Sequence, residues 1–237
     1  MFTMSEAFYD AIYGTMKDYA REAGQIHAVI QQYKRSPGNT LLDVACGTGR
    51  HISFLQRDYM VEGLDLDEQM LAIARQRNLG VIFHHADMVD FDLGYEFDVI
   101  VCLFSSIGYA KTIPRLHQTL RTMRRHLHPG GVAVIEPWLT PEQYEIGHLA
   151  ATFVNEPDLK IARMNKSEVR EGVSIMNFHY LVATPEGIEN FTELHELGLF
   201  SHQNYLDAFR ANALDVVHDA DPEKLMGRGL YIGIARE

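Results

Sequence analysis

The chain has 237 residues, 46% hydrophobic and 22% charged, with a net charge of −11 at pH 7. That suits one large domain with an elaboration, and the acidic balance argues against general affinity for nucleic-acid phosphates. No window is an uninterrupted apolar span and Met1 to Asp10 lacks a basic region followed by an apolar core, so neither a membrane segment nor a secretion signal is expected.

Residues 5–13 and 17–34 read as two helices joined through Gly14, with Ala20, Ala23, Ile26, Val29, Ile30 and Tyr33 at helical spacing in the second. Tyr9, Tyr13 and Tyr19 either seal helix to sheet or, with Lys17, form a lid over a bound cofactor. Ser36-Pro37-Gly38-Asn39 is a turn, and residues 40–45 form the first core strand. It runs into Cys46-Gly47-Thr48-Gly49, a corner where the two glycines let a ligand approach the backbone and the next helix, expected over 49–57, offers free N–H groups. Gly49 is followed by Arg50-His51 and not Lys-Ser/Thr, which disfavours a phosphate-cradling loop. Ile52 stands where the dinucleotide fingerprint wants a third glycine. The pattern that remains, Asp43-x-x-x-Gly47-x-Gly49 with Ala45 inside it, resembles the first motif of Rossmann-like S-adenosylmethionine-dependent methyltransferases.

A second strand, 59–65, ends in Asp65, placed to accept hydrogen bonds from both ribose hydroxyls. Asp67 looks like the N-cap of the next helix, with Met70 near the adenine. The third strand, 81–88, carries Asp87 and Met88, candidates for the adenine amino group and a ring nitrogen. His84-His85 point to opposite faces there and chelate poorly. Residues 96–104 form the fourth strand, and the Ser105-Ser106-Ile107-Gly108-Tyr109 loop at its tip, with Phe104, should face the reacting centre. An amphipathic helix from Thr112 to Leu127 ends at His128-Pro129-Gly130-Gly131, and a fifth strand, 132–136, leads into Pro137-Trp138. Strands alternating with helices imply a right-handed, mostly parallel sheet.

From residue 140 the rhythm changes. Residues 160–170, 173–184 and 188–200 read as three extended runs of an antiparallel β-meander, with Arg163, Asn165 and Ser167 on one face, and with Met176, Phe178 and Tyr180 opposite Asn177 and His179. Such an insertion above the strand tips would be a substrate roof. The chain closes with a helix at 202–211, a strand at 214–219, a Gly227-Arg228-Gly229 loop and a last strand, Leu230 to Ala235, expected to be antiparallel. The fold class is therefore α/β, a Rossmann-like sheet with an inserted meander, divided into a helical lid (1–35), a cofactor core (36–138), the meander (139–200) and a closing segment (201–237). Cys46 and Cys102 lie in apolar runs and are expected as reduced thiols of a cytoplasmic protein. The twelve histidines are scattered. His195-Glu196 is not followed by histidine at position 199, which is Leu, so no metal site is expected.

Leu41-Leu42-Asp43-Val44-Ala45-Cys46-Gly47-Thr48-Gly49, Phe104-Ser105-Ser106-Ile107-Gly108, Pro129-Gly130-Gly131-Val132, Glu136-Pro137-Trp138 and Gly227-Arg228-Gly229-Leu230, with Lys17-Asp18-Tyr19, together resemble the dTDP-aminosugar N,N-dimethyltransferases of macrolide antibiotic biosynthesis. The resemblance runs through nearly the whole chain. It implies S-adenosylmethionine as cofactor and N-methylation of a nucleotide-linked aminosugar. It also implies Arg228 as diphosphate ligand with Arg163 or Arg170 as helpers, and Tyr9, Ser105, Ser106 and Trp138 on the substrate side. Tyr109, where the family often carries histidine, and His179 are the candidates for orienting the amine or relaying its proton. Rival readings are a methyltransferase acting on the N or O of another small acceptor, and a cofactor-binding protein that is not an enzyme. The expected partners are a small-molecule substrate and a second copy of the chain in a homodimer, with no nucleic acid and no membrane.

Overall fold

The computed structural model describes residues 8–14 and 16–236; the expected helix start at residues 5–7 lies outside them. In chain order the elements are α1 (Tyr9–Tyr13), α2 (Tyr19–Tyr33), β1 (Thr40–Val44), α3 (Ile52–Leu55), β2 (Met60–Asp65), α4 (Glu68–Arg77), β3 (Ile82–His85), β4 (Phe97–Cys102), a 3-10 turn (Ser106–Ala110), α5 (Ile113–Arg125) and β5 (Leu127–Ile135). Four long strands follow, β6 (Leu149–Glu156), β7 (Leu159–Arg170), β8 (Val173–Thr184) and β9 (Gly187–Gly198), and then α6 (His202–Ala211), β10 (Leu214–Asp219) and β11 (Leu230–Ala235).

The first sheet has the order β3-β2-β1-β4-β5-β11-β10. Strands β1 to β5 pair in parallel, and β11 lies antiparallel to both of its neighbours. Parallel strands are apolar on both faces because helices cover both. Alternation in β1 shows it: Leu41 packs with Ile26, Val29 and Ile30 of α2, whereas Leu42 and Val44 pack with Leu116, Leu120 and Met123 of α5. This is a Rossmann-like α/β sheet, with the last strand threaded between β5 and β10. Two local expectations change in this sheet and its helices. Helix α3 is a single turn because the left-handed Gly49 keeps the chain out of helix until His51. Strand β5 begins at Leu127 and takes up His128 to Gly131, with a register shift opposite Phe97 and Val99 and a left-handed Gly130 absorbing the irregularity.

The meander has four strands, β6-β7-β8-β9, all antiparallel. The additional strand, β6, is an edge strand in which Val154 alone is buried, so its residues 149–156 carry no alternation strong enough to read. The inner face of this sheet builds a small core of its own, Val154, Ile161, Tyr180 and Val182, closed by Ile12 of α1. Helix α1 is thus wedged between the roof and the tips of the parallel strands.

Candidate active site

Sheet order reverses between β1 and β4, and the backbone just past their carboxyl ends is where the chain is strained. Ala45, Gly47 and Gly49 follow β1 with φ of 58, 54 and 70°; Phe104 and Ser105 follow β4 with φ of 51 and 62°. A residue other than glycine held there costs about 1–3 kcal/mol, so the surroundings must enforce it. They do. The Phe104 N–H donates to the Glu136 carboxylate at 2.6 Å, and the Ser105 hydroxyl donates to the Pro137 carbonyl at 2.7 Å. The tip of β5 therefore shapes the tip of β4.

A cavity of about 470 Å³ opens against these tips, lined on its sheet side by Gly47, Asp65, Met70, Asp87 and Met88 and on its roof side by Tyr9, Ser106, Tyr109 and Leu194. One Asp65 oxygen accepts from the Gly47 N–H at 2.7 Å and the other from the Asp67 N–H at 2.9 Å, which fixes the carboxylate plane and leaves one lone pair on each oxygen for a diol. Burial pushes the Asp65 pKa up, opposed by those donors. Asp67 caps α4 by accepting from the Gln69 and Met70 N–H groups, as its position predicts. Asp87 accepts from the Val89 N–H at 2.9 Å and pairs with Arg115 of α5 at 3.2 Å.

A smaller recess of about 30 Å³ adjoins it, sharing Tyr9, Ala45, Gly47 and Ser106 and adding Tyr19, Asp43, Arg50, His51 and Phe104. Asp43 is buried, its Oδ2 has no hydrogen-bond partner among the described residues, and burial together with the Asp65 charge raises its pKa to about 8. A Cβ added at Gly47 would meet no protein atom within 4 Å, so the space beside it is left for a ligand. Behind the recess, Glu22 joins Lys17 at 3.0 Å to His51 at 2.7 Å, and the Lys17 ammonium sits 3.9 Å from the Phe104 ring centroid. Asp10 of α1 gathers Thr48, Arg50 and Arg77 from the corner and α4. These contacts dock the N-terminal helices over the corner. An anchored carboxylate at a strand tip, a cavity of about 470 Å³ beside it and a buried carboxyl with one oxygen unmet suit a nucleoside with a cationic tail, as S-adenosylmethionine is.

On the roof side the Tyr109 hydroxyl lies 2.7 Å from His195 Nδ1, and His195 Nε2 lies 3.6 Å from the Glu193 carboxylate. Burial pushes the Tyr109 pKa up and the His195 pKa down, Glu193 opposing the latter. Arg228 stacks over Trp138 at 4.6 Å and donates to the Ser105 hydroxyl at 2.5 Å, from a loop whose flanking Gly227 and Gly229 both hold φ above +70°. Trp138 donates to the Ser174 hydroxyl of β8 at 3.0 Å.

Gly49, Ser105, Trp138 and Arg228 stand behind the walls of the two cavities, and four other residues fall elsewhere than expected. His179 is exposed on the outer face of the meander, since the period-two alternation that turns Phe178 and Tyr180 inward turns it away. Arg170 is exposed near the β7–β8 turn. Arg163 is buried inside the roof, donating to the Tyr13 hydroxyl at 2.8 Å and to Thr152 at 3.1 Å and stacking on Phe178. It ties α1 to the meander and is not open to a diphosphate, and it takes up Tyr13, which lines neither cavity. His195, Glu193, Glu136 and Arg115 escaped the sequence reading. The first two stand two apart in an extended run and so share a face, which was the available signal.

Residues 41–131 match the family model described as a methyltransferase domain. The chain is 40% identical over 229 residues to the dTDP-3-amino-3,6-dideoxy-alpha-D-glucopyranose N,N-dimethyltransferase of Streptomyces fradiae, covering 95% of this chain and 89% of that one. Its structure superposes on that of Streptomyces venezuelae DesVI with a TM-score of 0.90 at 36% identity, over 99% of this chain and 100% of the other. It superposes on SAM-bound CalS10, an amino pentose methyltransferase from Micromonospora echinaspora, with a TM-score of 0.85 at 34% identity, over 99% and 97%.

Proposed function

The chain belongs to the dTDP-aminosugar N,N-dimethyltransferases, and on that premise we propose that it transfers methyl from S-adenosylmethionine to the amino group of a dTDP-linked aminosugar. The observation that carries this reading is a likeness that spans both halves, so that the roof above the cavity belongs to it as much as the corner below.

The residues present fit the cofactor. Asp65 would take the ribose hydroxyls, Asp87 and the Met88 N–H the adenine edge, with Met70 against the ring. Asp43, Ala45, Gly47, Gly49, Tyr19 and Phe104 would surround the methionyl end. Bound there, S-adenosylmethionine supplies a methyl group on a sulfonium, a strong electrophile that needs no further activation.

The protein's share of the work is placement. A nitrogen lone pair has to lie in line behind the methyl, and orientation of that kind is worth effective molarities of about 10⁵–10⁸ M. Tyr109, facing the cavity beside Ser106, holds the amine. Arg228, backed by Trp138 and Ser105, takes the diphosphate: a desolvated guanidinium on an aromatic shelf is held ready for an anion, and burial already depresses its pKa. Tyr9, shared by both cavities, covers the junction where methyl meets nitrogen and keeps water out. With Cys46 and Cys102 both free, a cytoplasmic location goes with this reading.

Mass spectrometry of a dTDP-aminosugar panel incubated with the protein and S-adenosylmethionine tests it. At least one sugar should gain the mass of one or two methyl substitutions. An unchanged panel, with S-adenosylhomocysteine bound in calorimetry, would refute the aminosugar reading and leave a methyltransferase for another acceptor.

A further inference from the structure

We propose that Tyr109, His195 and Glu193 form a relay that removes the proton the acceptor amine must shed, leading it from the cavity wall to a buried imidazole backed by a buried carboxylate. The proposal deepens the N-methyltransferase reading and rests on it.

An amine attacks through its lone pair, yet an aliphatic ammonium, with a pKa near the lysine value of about 10.4, arrives protonated at neutral pH. Each methyl transfer also leaves a positive nitrogen that must lose a proton before it can react again. The cavity-lining carboxylates are engaged elsewhere: Asp65 with two backbone N–H groups, Asp87 with Arg115, and Glu196 with Lys111 at 2.7 Å. Tyr109 is different, because its hydroxyl reaches from the cavity wall to a base. His195 Nδ1 lies 2.7 Å behind it, on a ring only 3% exposed and steadied by the edge of Phe178 at 5.2 Å. Behind the ring, 3.6 Å from Nε2, is the carboxylate of Glu193, itself 2% exposed.

The protonation pattern follows from the donors. A phenol whose pKa is raised by burial keeps its proton and gives the hydrogen bond, so Nδ1 is the acceptor and the proton of the neutral ring is on Nε2, facing Glu193. In the transfer, the ammonium N–H proton passes to the Tyr109 oxygen while the Tyr109 proton passes to His195 Nδ1. The N–H bonding pair stays on nitrogen as the lone pair that attacks the methyl. Tyrosine ends as it began, and the charge rests on an imidazolium beside Glu193. The proton returns to solvent by the reverse exchange once product has left. Other charged or titratable groups facing this chain are Arg163 from β7, which opposes the imidazolium, and, near Tyr109, the Asp65 carboxyl at the tip of β2, the phenol of Tyr180 from β8 and those of Tyr9 and Tyr13 from α1.

The test is the pH dependence of methylation for wild type, His195→Gln and Tyr109→Phe, between about pH 6 and 10. Near pH 7 each variant should lose kcat by about 10²-fold, the low end for a positioned base. The loss should shrink as pH nears the pKa of the free amine, while S-adenosylhomocysteine affinity stays within about twofold for both variants and KM does so for His195→Gln. Variant profiles parallel to wild type, or a loss confined to KM, would overturn the relay. Should His195→Gln fail to bind S-adenosylhomocysteine and so report misfolding, Tyr109→Phe, which keeps the ring, decides alone. A wild type that binds the cofactor product but methylates no aminosugar sinks relay and parent reading together, and that outcome is recognisable without any variant.

Discussion

The parallel-sheet half and the meander half hold their shapes by opposite means. At the tips of β1 and β4 the chain carries left-handed Ala45, Phe104 and Ser105 and a buried Asp43 with one oxygen unmet. In the meander, non-glycine backbone of that kind occurs among the described residues only at the β7–β8 turn, at Glu171, and the buried cation Arg163 is held through its two terminal nitrogens by Tyr13 and Thr152. One half stores cost in strained backbone and a buried carboxyl at the cavity wall, and the other keeps a regular backbone with its buried cation tied to α1. On the proposed function the difference teaches where each task would sit: the common cofactor against enforced backbone and a buried carboxyl with one oxygen unmet, the acceptor against side chains projecting from a regular sheet.

The largest test of stored cost is Asp43→Asn. The folded pKa of about 8 lies above the ordinary carboxyl value of about 3.9, so between those limits the native protein holds a proton that the unfolded chain has released. Stability from this group is full below about pH 4 and is lost as pH climbs toward 8. The asparagine variant has no such loss, and without ligand it should exceed wild type by an amount on the order of 5 kcal/mol above pH 8, while binding S-adenosylhomocysteine more weakly. Thermal melts across pH measure it, and wild-type and variant curves that run parallel would mean that Asp43 stores nothing.

Next in size is Asp65→Ala. Removing a carboxylate proposed to serve two ribose hydroxyls, at about 1.5–3 kcal/mol for each charge-assisted bond, should weaken S-adenosylhomocysteine binding by about two to four decades in calorimetry. Arg228→Ala, beside Trp138 and Ser105, should raise KM for a dTDP-linked acceptor by about one to two decades and leave cofactor affinity unchanged. If either variant disturbed both ligands equally, the two halves would not divide the work in this way.

Legibility in the sequence follows the same division. Gly47, Gly49, Asp65 and the Asp67 cap could be read directly because a left-handed corner, a strand-tip acid and a helix N-terminus each demand a residue type at a set spacing. The topology was equally plain from apolar runs alternating with helices. The meander resisted, since alternation gives the face of a side chain but not what the face meets. Arg163 reads as a free cation until α1 brings Tyr13, 150 residues away in sequence, against it. Glu193 and His195 could be assigned to one face of β9, but only the packing of β9 on the 3-10 turn sets that face behind Tyr109. Strand β6 buries one residue and carries Leu149 and Phe153 on its exposed face, which masks its alternation.

The smallest expected effect falls on a residue that sequence alone made a catalytic candidate. His179 is exposed on the outer face of β8, paired across the sheet with Met164 and Thr192, and the polar contact of its ring is a 3.5 Å approach to Asn177. Substitutions at such sites change stability by no more than about 0.5 kcal/mol, and His179 itself lines neither cavity. His179→Ala should therefore leave the melting temperature, kcat and KM where they were, in contrast to His195→Gln on the inner face of the neighbouring strand. A clear fall in kcat for His179→Ala would mean that the outer face of the meander reaches a reacting centre, and the assignment of catalysis to its inner face alone would have to be given up.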